Sequence, residues 1–362
     1  MLYVLNDDFE ILGTIPTFQT LIWNRKYYET GIYELHVSPS FFPLLNSGKY
    51  LYRNDSEELG VINNPHYERT DSGEYTIYAK GYFAERILYN RVIERTHQLS
   101  GNVEDAMRNM VSEYCINPSD KKRVIAHLKL GNKSGITDTI NGQNTGDTVG
   151  DALYNLGVSY NITHSIRYDF LTNDLLFEVW KGKDRRDTQD VNDWAIFSDT
   201  FNNVQEEVYD RDDSEYKNFA YVAWQEEGKD RIVVEVDQTN GQERRELYVD
   251  ARDVSSQDEK GNPIAEATIK EQLKQRGIEA LAECQILESM TAGAISTRNL
   301  VYKKDFDLGD ICPYLNQRLG ISMDARITEI IETYEDGKED LQIVFGNGQI
   351  EKIEKIIRRV MK

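Results

Sequence analysis

Five histidines, His36, His66, His97, His127 and His164, carry the widest chemical reach in this chain, and they are scattered about thirty residues apart without an HExxH pair. No two imidazoles therefore share a helical face, and a metallohydrolase is not readable. Each histidine reads as a surface or hydrogen-bonded structural residue. A Ser-His-Asp hydrolase lacks a GxSxG elbow. The three cysteines, Cys115, Cys284 and Cys312, are far apart and free of CxxC spacing, so neither a disulfide framework nor a zinc site emerges. Leu130-Gly131-Asn132-Lys133-Ser134-Gly135 holds the ingredients of a phosphate cradle but lacks the earlier glycine that GxxxxGK followed by Ser or Thr requires. The dinucleotide fingerprint is absent too.

Carboxylates are the most abundant reactive groups: 62 Asp and Glu stand against 42 Lys and Arg, a net charge of −20. Two of them suitably spaced could run glycoside hydrolysis, yet among so many acids chance pairs are expected anywhere, and solvated charge is the plainer reading. Asp210-Arg211-Asp212-Asp213-Ser214-Glu215 begins like a calcium loop, but Glu215 occupies the sixth position, where that loop needs glycine. The expectation is a chain with no catalytic residue, no metal and no cofactor. So negative a surface repels phosphate, which disfavours a dedicated nucleic-acid binder and attachment to anionic membranes. Residues 199–260 hold 18 acids against 8 bases, half of the net charge. Lining a channel, that band would let a polyanion pass without sticking; facing bulk water, it serves solubility.

The elements that would position any site are mostly strands. Residues 1–95 alternate Tyr, Ile, Val, Leu and Phe with polar residues; Tyr33-Glu34-Leu35-His36-Val37 is one such run, and Asp71-Ser72-Gly73 reads as a hairpin turn. After His97 the pattern changes. Asn102 can cap a helix bearing Val103, Met107, Met110, Val111 and Tyr114 on one face, with Asp105 completing the cap. Residues 131–147, crowded with Gly, Asn, Ser and Thr, read as a surface loop. Thr148 and Asp151 start a second helix, and strands resume from Tyr160 to Trp180.

From Phe197 to Asp253 the reading is β again, with Glu226 to Asp230 as a turn. Residues 264–288 predict a helix with Gly277 as its weak point. Strands return between Leu300 and Phe345, and a terminal helix places Ile350, Ile353, Ile356, Ile357 and Val360 on one side. Gly48, Gly60, Asp71-Ser72-Gly73 and Gly81 recur in order as Gly309, Gly320, Glu335-Asp336-Gly337 and Gly346. That echo is the trace expected of a duplicated β-barrel with glycine at its corners. The N-terminus has no basic segment or long apolar core, and no stretch approaches 18 apolar residues, so synthesis in a cytoplasm without membrane insertion is expected.

Several segments resemble a known family. Arg244-Arg245-Glu246-Leu247-Tyr248-Val249-Asp250-Ala251-Arg252-Asp253 is similar to a segment of tail-tip or baseplate hub proteins from long-tailed phages of Gram-positive hosts, a family that includes the N-terminal part of tail-associated lysins. Gly182-Lys183-Asp184-Arg185, Asp305-Phe306-Asp307-Leu308-Gly309-Asp310 and Ala325-Arg326-Ile327-Thr328-Glu329-Ile330 agree in order, as do Gly81-Tyr82-Phe83 and Arg91-Val92-Ile93.

The resemblance implies a mainly β fold with α/β insertions: two similar antiparallel β-barrel domains plus smaller α/β and helical domains, assembled as a hub-like trimer. It makes residues 1–95 the first barrel, 96–197 an α/β insert, 198–253 with 298–349 the second barrel, 254–297 a helical excursion and 350–362 the C-terminal helix. It implies a structural, non-enzymatic virion component, made in the bacterial host cytoplasm, that joins the tail tube to the tip. Its implied partners are its own copies, a distal tail protein and a tail fibre or lysin, with DNA only in transit. Arg244, Arg245 and Arg252 read as ion-pair partners of nearby acids. The rival readings are a cell-wall hydrolase using two carboxylates and a host-glycan receptor module, which the 22 tyrosines permit.

The terminal helix is expected to bind through Ile353, Ile356, Ile357 and Val360. If that face docks on its own chain, replacing Ile356 and Ile357 with Asp should cost several kcal/mol, read as a lower melting temperature. An unchanged melting temperature assigns the face to a partner.

Overall fold

The computed structural model describes residues 1–225, 231–257, 262–294, 300–335 and 337–346. Alternation decides its strands. In Ile32–Val37, Tyr33, Leu35 and Val37 are buried while Ile32, Glu34 and His36 face the other way, and in Thr20–Lys26, Leu21 and Trp23 are buried on the same side. These two strands pair antiparallel; Tyr75–Tyr82 joins next and Asn64–Arg69 lies outermost. On its other edge, Thr20–Lys26 pairs with Ile321–Glu335, from Lys26 opposite Glu329 to Thr20 opposite Glu335. Lys338–Gly346, Leu287–Ala294 and Val204–Asp212 follow outward, so eight antiparallel strands form one path with four on each side of this seam. The first part of Ile321–Glu335 also carries Ile311–Asn316, beside which Phe197–Ser198 runs parallel.

The fold is mainly β with several sheets, and among the described residues none of them closes into a barrel. The two β units expected from the glycines share one open sheet instead. A strand has two edges, and the seam strands give their second edge to each other rather than curling back on their own units. The glycine echo does not mark equivalent corners either. Gly73 and Gly337 sit in turns at positive φ, whereas Gly60 and Gly81 lie inside the strands Leu59–Val61 and Tyr75–Tyr82. There the Tyr33 ring, and at Gly81 the Val61 carbonyl, leave no room for a β-carbon.

Four antiparallel strands, Ile11–Ile15, Leu2–Leu5, Tyr50–Arg53 and Leu59–Val61, cover the N-terminal half of the large sheet. Trp23, Tyr33, Leu35, Leu45, Leu51 and Phe83 fill the space between. Phe197, Phe306, Tyr314, Ile327, Ile343 and Phe345 form a separate core on the C-terminal half.

Asn102 caps the helix Val103–Val111 by accepting from the Asp105 N–H at 3.1 Å, and Thr148 caps Val149–Tyr160 through Asp151 in the same way. The stretch 131–147 is not all loop: Thr139–Asn144 pairs with His97–Asn102, a ladder hidden in the sequence because only Ile140 supplies a buried side chain. Thr163–Asp169 and Asp174–Trp180 form a hairpin with Leu128–Leu130 parallel to it. This region shares a core with the N-terminal sheet, where Phe9 stacks on Tyr50 at 4.8 Å and on Tyr168 at 5.1 Å.

Phe219–Ala223 is the middle strand of a further sheet, antiparallel to Val233–Asp237 and parallel to Glu246–Asp250. The turn expected at Glu226 to Asp230 lies outside the described residues. The helix Glu266–Ala282 covers this sheet, with Ile269, Leu273 and Leu281 packed on Ala220, Val222 and Val236. Gly277 is the point of closest approach: a β-carbon there would lie 2.6 Å from Val236 Cγ2 and 2.7 Å from Val222 Cγ2. Gly277→Val improves helix propensity, yet overpacking should destabilise the chain by about 1–3 kcal/mol, measured as a lower urea midpoint. A raised midpoint would show that the helix stands clear of the sheet.

Candidate functional site

The seam brings charge into the interior. In Ile330-Ile331-Glu332-Thr333-Tyr334, alternation aims Ile330, Glu332 and Tyr334 at the core, and Glu332 is fully buried. Arg53, from the covering sheet, is 4% exposed; its Nη2 donates to Glu332 Oε2 at 2.5 Å and to the Tyr334 hydroxyl at 3.0 Å, and its Nε donates to Asp55 at 2.7 Å. Tyr302 and Tyr334 each donate to Glu332 at 2.8 Å, and Lys303 lies 3.4 Å from it. Beside this group Arg25 is held between Glu58 at 2.5 Å and Asp307 at 2.6 Å. Ser56 donates to Glu58 and accepts from Trp23 Nε1.

Burial by itself would raise the Glu58 carboxyl, but Arg25 and the hydrogen bonds from Ser56 and Arg25 bring it down to about 2. Glu332 is likewise held below the usual carboxylate range, against burial, by Arg53, Lys303 and the Tyr302 hydroxyl. Both folded values are depressed, so the stability these acids confer is present above their ordinary range and is lost as pH falls through it. Chemically the cluster is an adhesive. Its carboxylates are all engaged by cations or hydroxyls, and none is free to act as a base.

Three of the segments that carry the resemblance converge next to it. Asp310 is 3% exposed, accepting from the Lys183 N–H at 2.7 Å and from Arg185 Nε at 3.0 Å. Gly182 lies so near that a β-carbon would sit 1.9 Å from the Gly309 oxygen. Arg326 donates to that same oxygen at 2.5 Å and covers the Tyr27 ring at 4.7 Å. In the fourth segment Arg244 lies 3.0 Å from Glu246 and 3.3 Å above the Phe219 ring, Arg245 is 3.6 Å from Asp213, and Arg252 is 2.6 Å from Asp250. These arginines pair with nearby acids as expected, at exposed positions where each pair stabilises little.

The face of the large sheet opposite the cores is mixed: Glu34, Glu68, Glu335, Asp340 and Asp210 lie at its outward positions together with Ile22, Ile32, Ile331 and Val344, and Arg326 alternates with the core residues Ala325 and Ile327. Its lysines are partly neutralised where they stand: Lys80 is 2.8 Å from Glu34, and Lys26 is 3.1 Å from Glu29 and 3.7 Å from Glu329. The acidic band 199–260 is divided by the fold. Val204–Asp212 forms one edge of this sheet, and the rest of its described strands belong to the separate helix-covered sheet.

Histidines take structural places: His66 stacks on Tyr78 at 4.5 Å, His36 bonds Glu34 at 2.7 Å, and His97 is 3.2 Å from Glu113. Among the described residues no group of three His, Cys, Asp or Glu could hold a metal. The apparent phosphate cradle is filled by the protein itself, since the Ser134, Gly135 and Ile136 N–H groups donate to Glu104 at 2.7, 3.0 and 3.0 Å. Ile353, Ile356, Ile357 and Val360 lie outside the described residues. Sequence reading passed over Arg25, Arg53, Glu58 and Glu332. The signal was there for Arg25 and Glu332: each sits in phase with inward residues, Arg25 after Leu21 and Trp23, and Glu332 between Ile330 and Tyr334.

The family profile described as Siphovirus ReqiPepy6 Gp37-like protein matches residues 1–347. No curated protein sequence matches the chain. Three solved structures are similar in fold. The tail protein from Neisseria meningitidis MC58 has a TM-score of 0.56 at 12% identity, covering 96% of this chain and 97% of its own. The 43 kDa tail protein of prophage MuSo2 from Shewanella oneidensis scores 0.58 at 11% identity, covering 95% and 97%. Prophage tail protein gp18 from Listeria monocytogenes EGD-e scores 0.55 at 12% identity, covering 99% and 98%.

Breaking the buried pair should expose its role. Arg53→Met leaves the buried Glu332 with only the half-exposed Lys303 as a cation and should cost about 3–5 kcal/mol, and Arg53→Met with Glu332→Leu should recover most of it. Both are read from denaturant midpoints; a single variant as stable as the parent would remove the network from the seam's support.

Proposed function

We propose that this chain, which belongs to the family of siphovirus ReqiPepy6 Gp37-like proteins, is a structural component of a phage tail and forms the tail-tip or baseplate hub, a threefold ring around the path of the DNA. The observation that carries this reading is the eight-strand path whose outermost strands, among the described residues, are Asn64–Arg69 and Val204–Asp212. Unpaired edges invite another strand. Three copies joined edge to edge would close a cylinder that no copy closes alone, and the two barrel units expected per chain become the two four-strand halves flanking each seam. Six such halves would meet a sixfold tube above while a threefold tip sits below.

In that ring the eight strands of the path supply the wall, and residues 96–197 with the helix-covered sheet lie outside it. The face opposite the cores then lines the lumen, where its carboxylates repel phosphate and Lys26 and Lys80, already paired with acids, have little to offer it. The partners are further copies, a distal tail protein and a fibre or lysin, the last two being candidates for the Ile353, Ile356, Ile357 and Val360 face. A non-enzymatic role fits the engaged carboxylates of the seam.

Light scattering of the purified chain should give three times its mass. Val208→Asp, at an edge position 52% exposed in the single chain, should give a folded monomer. A wild-type monomer at high concentration, or a Val208→Asp trimer, would overturn edge-to-edge closure. A lytic band on a peptidoglycan zymogram would overturn the non-enzymatic reading.

A further inference from the structure

Glu85 stands where the region between the two halves meets the N-terminal sheets. It lies in the short helical turn Ala84–Asn90 that follows the strand Tyr75–Tyr82, and it is 8% exposed. One carboxyl oxygen accepts from the Ile166 N–H at 3.1 Å, in the middle of Thr163–Asp169. The other is buried with no hydrogen-bond partner from another residue among the described residues. A buried carboxylate missing half its hydrogen bonds is costly when ionised and tolerable when protonated.

The contacts around it define a docking joint. Thr163–Asp169 also meets the N-terminal unit through a bridge between Glu58 and Arg167 and through the Tyr168 N–H donating to the Glu57 carbonyl at 3.3 Å. The Thr163 hydroxyl donates to the Tyr27 carbonyl. Nearby, Phe9 and His127 pack edge to face at 5.1 Å, and both hold positive φ, 61° and 63°. A bulky residue in that conformation stores strain. The joint is therefore closed by these bonds at the margin of the core that the two regions share, with a strained contact at Phe9 and His127.

We infer that Glu85 is a proton-operated latch: protonated, it holds Thr163–Asp169 on the N-terminal sheets, and ionised, it loosens that joint while the large sheet stays intact. The elements packed on this turn carry chargeable groups of their own. Helix Val149–Tyr160 brings Asp151, Tyr154 and Tyr160; the strand Thr163–Asp169 brings His164, Arg167, Tyr168 and Asp169; Glu58 precedes Leu59–Val61. Asp151 is held by Thr148, and Arg167 lies 3.7 Å from Glu178. Burial drives the Glu85 carboxyl up to about 7; the Ile166 N–H and the backbone N–H of Glu85 itself oppose, Glu58 adds to the rise, and Arg25 lowers it. A folded value raised above the ordinary one means that the latch is fully set below the usual carboxylate range and is lost as pH rises through about 7.

Hydrogen exchange on the full chain tests this, at about pH 5.5 and about pH 8.5, corrected for the intrinsic pH dependence of exchange. Amides of Thr163–Asp169 should lose about tenfold protection at the higher pH, with Ile32–Val37 unchanged. Glu85→Gln, which cannot ionise, should abolish the difference. Equal protection at both pH values, parallel loss in Ile32–Val37, or a difference that survives in Glu85→Gln would each overturn the latch. Should Glu85→Gln fail to fold, the wild-type comparison of the two strands still decides.

Discussion

The structure depends on two strands from opposite ends of the chain lying side by side. Thr20–Lys26 and Ile321–Glu335 run antiparallel over seven residue pairs, and everything else in the large sheet is appended to one or the other. Backbone hydrogen bonds alone would accept a slipped pairing. Slipping by one residue would turn every side chain to the wrong face, and here it would carry Glu332 out of reach of Arg53 and strand both charges. A buried ion pair contributes little net stability against an apolar replacement. Its use at this seam is to penalise wrong registers.

Much of this was legible, and the reasons differ by element. The cap at Asn102, the buried stripe from Val103 to Tyr114 and the alternation of Tyr33, Leu35 and Val37 are local signals, written within a few residues and realised as written. The ladder Thr139–Asn144 was missed because it pairs through backbone atoms while showing almost no apolar side chains. Barrel closure was misplaced because glycine marks several things. At Gly81 it admits a carbonyl and a tyrosine ring rather than turning a corner. Of the seam cluster only the inward phase of Arg25 and Glu332 was legible, since a single sequence does not say that Arg53 and Glu332 are neighbours.

The two faces of the large sheet handle charge in opposite ways. Inside, Arg25, Arg53, Glu58 and Glu332 are desolvated and fixed in short pairs. Outside, Glu34 and Lys80 pair in contact with water, where attraction is weak and screened. The inner charges specify geometry; the outer ones set how the surface treats a polyanion. Net charge alone, −20 over the chain, could not separate these roles, and the acidic band at 199–260 turned out to be split between a sheet edge and a separate small sheet.

Closing a seam across nearly the whole chain sounds expensive, but loop-closure entropy grows only with the logarithm of length, about 0.6 kcal/mol per doubling. Once two ends are committed to meeting, lengthening what lies between them costs little. The region from His97 to Trp180, which shares a core with the N-terminal sheet, and the helix-covered sheet, which has its own buried cluster, both hang between strands of one frame. Such a frame constrains edges and register more than it constrains side chains. That is a physical reason why folds agreeing over 95–99% of this chain can share only 11–12% of its residues.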